Sequence, residues 1–249
     1  MRNRLDLKKK LTPRGVKGLM WFVLAKMPVK IEVRWRRPRW SGEDDRFSYQ
    51  SRYVKFDIKP GDRVLDVGVG PYPFPHATVV ADRFIEETKD RHEPLRTDGK
   101  PFVLADVHAL PFRDKAFDFV YCSHLLEHVD DPIRACREIM RVGKRGFIET
   151  PTFGKDSLFA WAKGMHRWHV VSIANILCFF EYSPRQLEGI RSSAWRDIIF
   201  SRWYHPLQEA FYDNQDIFNT MLLWEHSFSV FVFRLDRSVG KLNAEELAP

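Results

Sequence analysis

The run Arg63-Val64-Leu65-Asp66-Val67-Gly68-Val69-Gly70 constrains this 249-residue chain more than any other stretch. Val64 and Leu65 have strand character, Asp66 follows at once, and glycines stand at 68 and 70. An apolar strand with an acid near its end and then a glycine turn is how an open α/β sheet builds a nucleotide-type site, because glycine lets the backbone turn tightly beside a ligand. The downstream stretches read as further strands laid beside this one, with their C-terminal ends facing one crevice.

Those strands can be taken in order. Phe47–Phe56 reads as a short helix, and Lys59-Pro60-Gly61-Asp62 as the turn before strand one, Arg63–Val67. Gly70-Pro71-Tyr72-Pro73-Phe74-Pro75 alternates three prolines, which an ordinary helix does not tolerate. Thr78–Ala81 is strand two and ends at Asp82. The link between strands one and two is too short for the usual helical crossover, so its helix is expected to be missing or cut to a turn. Phe102–Ala105 is strand three, followed by Asp106, and Phe117–Cys122 is a buried parallel strand four. Asp131-Pro132 opens a helix, with aspartate as cap and proline in the first turn, and Ile133, Cys136, Ile139 and Met140 form its apolar face as far as about Val142. Phe147–Thr150 is strand five.

Beyond strand five the alternation breaks. Residues 152–182 are aromatic, carry His166 and His169, and read as an insert that covers the site. Ser183-Pro184-Arg185-Gln186 is a capping box before a helix that bears Leu187 and Ile190. Asp197–Phe200 reads as strand six, His205–Asn219 as a loop or irregular helix, and Ser227–Leu235 as the last strand. Residues 1–50 are expected to be a basic extension of the domain formed by 51–249.

Composition limits the function classes. The chain is 44% hydrophobic and 29% charged, as an ordinary globular protein is. Its net charge of +7 is uneven: residues 1–60 hold 17 Lys/Arg against 6 Asp/Glu, and the remainder 23 against 27. The basic character therefore belongs to the N-terminal extension, which could meet nucleic acid, anionic lipid or nothing but solvent. Within it, Gly15–Met27 reads as a short helix that packs on the domain or lies on a membrane surface, and Arg34–Trp40 interleaves arginine with tryptophan as a nucleic-acid surface or a plain edge strand does. No run is long enough to span a bilayer and no leader is readable. Cys122, Cys136 and Cys178 make no disulfide framework or paired metal spacing. The expectation is a cytoplasmic protein, with peripheral membrane contact left open.

Taken together, these blocks resemble the class I S-adenosylmethionine-dependent methyltransferases of the small methyltransferase-domain type. The resemblance covers about Asp62 to Pro151. It rests on Asp66-Val67-Gly68-Val69-Gly70, on Asp82, on Ala105-Asp106-Val107-His108-Ala109-Leu110-Pro111-Phe112, and on Phe117-Asp118-Phe119-Val120 followed by Ser123-His124-Leu125-Leu126-Glu127-His128-Val129. It implies a Rossmann-like, mostly parallel sheet of seven strands with flanking helices, the seventh antiparallel. It also implies S-adenosylmethionine as cofactor. Gly68 and Gly70 would pass under its methionine part, Asp66 would orient that loop, Asp82 would take the ribose hydroxyls, and Asp106 the adenine amino group. Val107 would pack the adenine ring, and Ser123 and His124 would floor the cleft. The family's third glycine is replaced by Tyr72, which would pack on cofactor or substrate.

Other residues are open to more than one reading. His169, His166 and His124 are candidate bases for a hydroxyl or amine acceptor, or structural histidines. Trp168, Tyr182 and His226 are candidate substrate contacts, or packing. His124-Leu125-Leu126-Glu127-His128 sets two histidines four apart, but a zinc-hydrolase helix has its glutamate directly after the first histidine and a sustained helix around it. Here Asp130-Asp131-Pro132 follows at once, so the stretch reads as pocket lining and no metal is assigned. The expected activity is methyl transfer to a small-molecule, lipid or sugar-linked acceptor. The alternatives are an RNA acceptor gripped by Arg34–Trp40, or a binding or assembly protein that keeps the fold without turnover. The sequence leaves the oligomeric state open.

Overall fold

In the computed structural model, described here over residues 46–86, 93–160, 165–191, 195–199, 201, 203 and 205–247, the glycine-turn strand is central. Helix α1 (Arg46–Tyr53) precedes it. The first strands are β1 (Val64–Val67), β2 (Val79–Asp82), β3 (Phe102–Leu104) and β4 (Phe119–Ser123). Helix α2 (Pro132–Val142) leads to β5 (Arg145–Pro151) and the short α3 (Phe153–Phe159). Then come the hairpin β6 (Trp168–Ile173) and β7 (Ile176–Glu181), and helices α4 (Pro184–Arg191), α5 (Trp195–Ile199), α6 (Pro206–Asp213) and α7 (Gln215–Phe218). The chain closes with β8 (Asn219–Glu225), β9 (Ser229–Phe233) and β10 (Val239–Leu242).

The central sheet has six strands in the order β3-β2-β1-β4-β5-β8. The first five are mutually parallel and β8 runs antiparallel to β5. The α/β class and the antiparallel final strand are as expected, but the count is six and the closing strand lies at 219–225, earlier than Ser227–Leu235. A second sheet, β10-β9-β7-β6, takes β9 instead. The cause is local. Val230 and Val232 alternate inward and bury in the cluster that also holds Ile139 and Met140 of α2, so β9 covers that helix and does not extend the central sheet. Asp197–Phe200 is not a strand where it is described. Trp195–Ile199 is helical, and Ile199 packs with Phe159 and Phe211 in a small separate core. Three apolar residues in a row do not discriminate helix from strand, and here the neighbouring helices decide.

Alternation along the parallel strands sends two sets of side chains to opposite faces. Leu65, Val67, Val120, Cys122 and Ile148 join α2 and the second sheet in the larger core. Val64, Val80, Phe119, Tyr121 and Phe147 face the other way, where Phe74 joins them. Phe74 stacks on Tyr121 at 4.1 Å with the rings 3° from parallel, and Phe47 and Phe56 pack around the pair. The proline-rich link from β1 to β2 contains no helix. Buried Phe74 supplies part of the apolar cover that a crossover helix would give. Burying one such side chain is worth roughly 1.5–3 kcal/mol. Asp131 caps α2 through Arg134 N, as the sequence predicts, and Ser183 and Gln186 make their reciprocal capping bonds. Among the described residues no helix is long and apolar enough to cross a membrane.

Candidate functional site

Chain order reverses across the sheet between β1 and β4, each of which continues outward in the opposite direction. In open α/β sheets a crevice opens outside the C-terminal ends of strands at such a switch point. Gly68 and Gly70 sit there with φ of +77° and +54°, a region that favours glycine. Close packing adds a second demand at Gly68, where a Cβ would lie 2.9 Å from Leu125 Cδ2. The turn is anchored by backbone bonds from Gly68 N and Val69 N to Ala81 O, at 2.8 and 3.2 Å.

Acids at the strand ends hold the loops around this turn. Asp66 is buried, and its Oδ2 accepts from Phe74 N at 2.8 Å, so it ties the proline loop back under β1. Asp82 accepts from Gly70 N at 3.1 Å through Oδ2 and from Phe84 N at 2.9 Å through Oδ1. Tyr72 is exposed, and its hydroxyl donates to Glu93 at 2.7 Å, while Arg96 N donates to Gly70 O. The segment around 93–96 is thereby fastened across the turn where the third glycine is absent. Asp106 accepts from the backbone and ring of His108, at 2.9 and 2.6 Å, and lies 3.3 Å from Arg83 Nη1. Burial pushes the Asp106 carboxyl up, but the His108 bonds and the Arg83 charge outweigh it and hold the group below the usual carboxylate range. Val107 is buried beside it.

The end of β4 has its own support. Ser123 Oγ donates to Glu149 Oε2 at 2.9 Å, and Tyr49 and Gln50 of α1 donate to the same carboxylate. Gln50 in turn accepts from the Tyr121 hydroxyl at 3.0 Å. Glu149, fully buried, thus fastens α1 to the C-terminal edge of β4 and β5. Sequence reading missed Glu149, Tyr49 and Gln50. A lone glutamate inside an apolar strand was the available signal, since a charge is rarely buried without partners. Glu149→Gln turns an acceptor into a donor toward three donors. We expect it to cost about 1–3 kcal/mol in urea denaturation, and Tyr49→Phe about 0.5–1.5 kcal/mol.

His124 takes a positive φ of 55°, and its amide donates to Glu149 O at 2.9 Å. Its Nδ1 lies 3.3 Å from Glu127 Oε1. Glu127 is buried, and that burial raises its pKa to about 7 against the pull of His166. Next to it, burial and the His166 charge lower His128 to about 3. His166 binds Asp156 Oδ2 through Nδ1 at 2.8 Å, and Tyr182 donates to the same oxygen at 2.9 Å. Burial works against the charged form of His166, but the Asp156 bond and the Glu127 charge carry its pKa above the ordinary value. Burial raises the Tyr182 hydroxyl, with the Asp156 charge adding to it. His169 packs between Phe153, Phe180 and Tyr182, and burial lowers its pKa, so it is neutral at pH 7.

Asp66, Gly68, Gly70, Tyr72, Asp82, Asp106, Val107, Ser123 and His124 all lie at or just beyond the C-terminal ends of β1 to β4. His166, His169 and Tyr182 come from the insert near the start of α3, just past the C-terminal end of β5. Two candidates are placed elsewhere. Trp168 has no exposed surface, and its indole N–H donates to Val129 O at 2.6 Å, so its role is core packing and not substrate contact. His226 follows β8, whose residue Glu225 pairs with Arg145 at the start of β5. Because β8 is antiparallel, its C-terminal end lies on the opposite edge of the sheet from the crevice, and His226 is exposed there. Gly15–Met27 and Arg34–Trp40 fall outside the described residues.

Comparison with known proteins gives matches to methyltransferases. Residues 76–148 match the family model described as a methyltransferase domain. An uncharacterized methyltransferase of Schizosaccharomyces pombe is 33% identical over 39% of this chain and 41% of its own length. Cycloartenol-C-24-methyltransferase 1 of Oryza sativa is 34% identical over 43% and 36% respectively. Demethylmenaquinone methyltransferase of Renibacterium salmoninarum is 36% identical over 38% and 45%. The chain thus spans about two-fifths of the length of these curated relatives. A solved Thermotoga maritima structure, described as a SAM-dependent methyltransferase and possible histamine N-methyltransferase, aligns at 19% identity over 54% of this chain and 63% of that one, with a TM-score of 0.35. Residues 76–148 are thus similar to a methyltransferase domain.

Proposed function

We propose that the chain transfers a methyl group from S-adenosylmethionine to a nucleophile on a small-molecule, lipid or sugar-linked acceptor. The observation that carries this reading is the set Asp66, Asp82 and Asp106 at the ends of β1, β2 and β3, beside a turn at Gly68 that a Cβ would obstruct. These residues fit the cofactor chemically. Carboxylates accept only, as a ribose diol and an adenine amino group require, and their negative charge suits a sulfonium.

When bound, the cofactor supplies a methyl carbon on a sulfonium leaving group. The chain's part is to align and desolvate the partners for in-line displacement. Asp82 accepts from the ribose hydroxyls and Asp106 from the adenine amino group, with Val107 against the ring. Asp66 holds the loop through Phe74 N. Ser123 and His124 close the floor. Where the acceptor is a hydroxyl or amine, His169, neutral and half-buried, is the side chain suited to take its proton. His166 is committed to Asp156 and is nearly fully buried, which suits a positioning role better. Two relatives take their names from cycloartenol and demethylmenaquinone, which favours a small-molecule acceptor over a nucleic acid.

Calorimetric titration of the full chain with S-adenosylmethionine tests the reading. Saturable binding near one equivalent is the expected result. A folded chain that gives no saturable heat would overturn it and leave a binding or assembly role for the fold.

A further inference from the structure

Beside the crevice lies a group of side chains centred on Glu127 and His128, two residues that the methyl-transfer reading does not use. Glu127 is 1% exposed, and among the described residues neither of its carboxylate oxygens has a hydrogen-bond partner. An ionised carboxylate in that position is costly unless something positive meets it. Its Oε1 lies 3.8 Å from His128 Nε2 and 3.9 Å from His166 Nε2. Among the described residues, Glu127, His128 and His166 form a group whose ligand atoms all lie within 4.8 Å of one another. His124 Nδ1 stands 3.3 Å from the same oxygen.

These separations discriminate between occupants. A proton shared between a carboxylate and an imidazole needs a contact of about 2.7–3.2 Å. Two ligands of one tetrahedral ion with bonds of 2.0–2.1 Å lie about 3.3 Å apart. The observed gaps are too wide for a hydrogen bond and are within a small side-chain adjustment of the second geometry.

The surroundings are arranged as a metal site's are. When His166 Nδ1 donates to Asp156, the imidazole carries its lone pair on Nε2, the atom that faces Glu127. A carboxylate behind a ligating histidine fixes its tautomer and raises its basicity. Tyr182 donates to the same oxygen of that carboxylate. The two chain segments are clamped together, because Glu127 O accepts from Arg167 N and Trp168 N at 2.9 and 3.1 Å. The buried Trp168 indole adds its bond to Val129 O. The insert between β5 and β8 therefore supplies the third ligand that the His124–His128 stretch lacks in sequence.

We propose that Glu127, His128 and His166 bind a divalent cation of the zinc type, with Asp156 orienting His166 and a fourth position left to His124 or to an oxygen ligand. The donor set of two imidazoles and one carboxylate suits such borderline ions. The inference stands on these side chains and not on methyl transfer.

The test uses the full chain, stripped with chelator and desalted, and titrated with Zn²⁺ by calorimetry and with Co²⁺ by visible absorption. One equivalent of zinc should bind, cobalt should give the d–d bands of a low-coordinate site, and zinc should raise the melting temperature. Glu127→Gln and His166→Gln should each abolish the cobalt bands, and Asp156→Asn should weaken zinc affinity about 10–100-fold. Wild-type chain that binds no zinc would overturn the proposal. So would stoichiometric binding that survives in both Glu127→Gln and His166→Gln with folded spectra, since the ion would then lie elsewhere. Should a variant fail to fold, the wild-type cobalt spectrum and zinc stoichiometry still decide.

Discussion

Asp82→Ala is expected to weaken S-adenosylmethionine binding by about 100-fold or more. A carboxylate that accepts from both hydroxyls of a ribose makes two charge-assisted bonds, each worth about 1.5–3 kcal/mol, and every 1.4 kcal/mol is tenfold in affinity. The substitution also removes the acceptor of Gly70 N and Phe84 N, so the glycine turn loses its tie to the end of β2. Asp82→Asn separates the two effects. It keeps one acceptor oxygen and the side-chain shape, and should fall between wild type and alanine. Calorimetry reads the affinity, and a melting curve checks that the sheet survives. An unchanged dissociation constant in a folded Asp82→Ala chain would place the cofactor away from β2.

Trp168→Ala is expected to cost about 3–5 kcal/mol, the range for deleting a buried aromatic. Trp168 has no exposed surface and packs edge-on against Phe179 at 6.3 Å. It joins the second sheet to the segment after β4 through Val129 O. Against a typical total of 5–15 kcal/mol, that loss brings the chain near its unfolding threshold at room temperature. Trp168→Phe keeps most of the ring but leaves the Val129 carbonyl without its donor, and should cost about 1–3 kcal/mol. Urea denaturation measures both. The phenylalanine variant also separates core from contact: KM for the acceptor should not move, and a large rise in KM at wild-type stability would return Trp168 to the substrate side.

The described fold up to residue 151 was legible because each signal was local. Asp66 with Gly68 and Gly70, the acid after β2, the cap at Asp131-Pro132 and the buried run of β4 are all set by neighbours a few residues away. Even the missing crossover helix could be read, from three prolines in a link too short to hold one. Beyond residue 151 the determinants become long-range. Ser229–Phe233 alternates as an edge strand should, but which sheet it joins depends on α2, whose apolar face needs a cover. The Asp197–Phe200 stretch is short, and its helical state follows from packing against Phe159 and Phe211.

The candidate site divides along the same line. The acids and glycines at the strand ends were readable because strand-end placement follows from the strands themselves. Glu149 was not, since its partners Tyr49 and Gln50 lie about a hundred residues away. The pairing of Glu127 with His166 was equally hidden: the insert folds back as a hairpin and is clamped to Glu127 O by its own amides. His226 was misplaced for a topological reason, because only the antiparallel direction of β8 sends the residue after it to the far edge.

The central claim is that the crevice between the ends of β1 and β4 holds the cofactor. A crystal structure of the chain with S-adenosylhomocysteine tests it most directly. The account predicts ligand density over Gly68 and Gly70, with the ribose hydroxyls on Asp82 and the adenine beside Asp106 and Val107. Density elsewhere, or an empty crevice at saturating ligand, would contradict it.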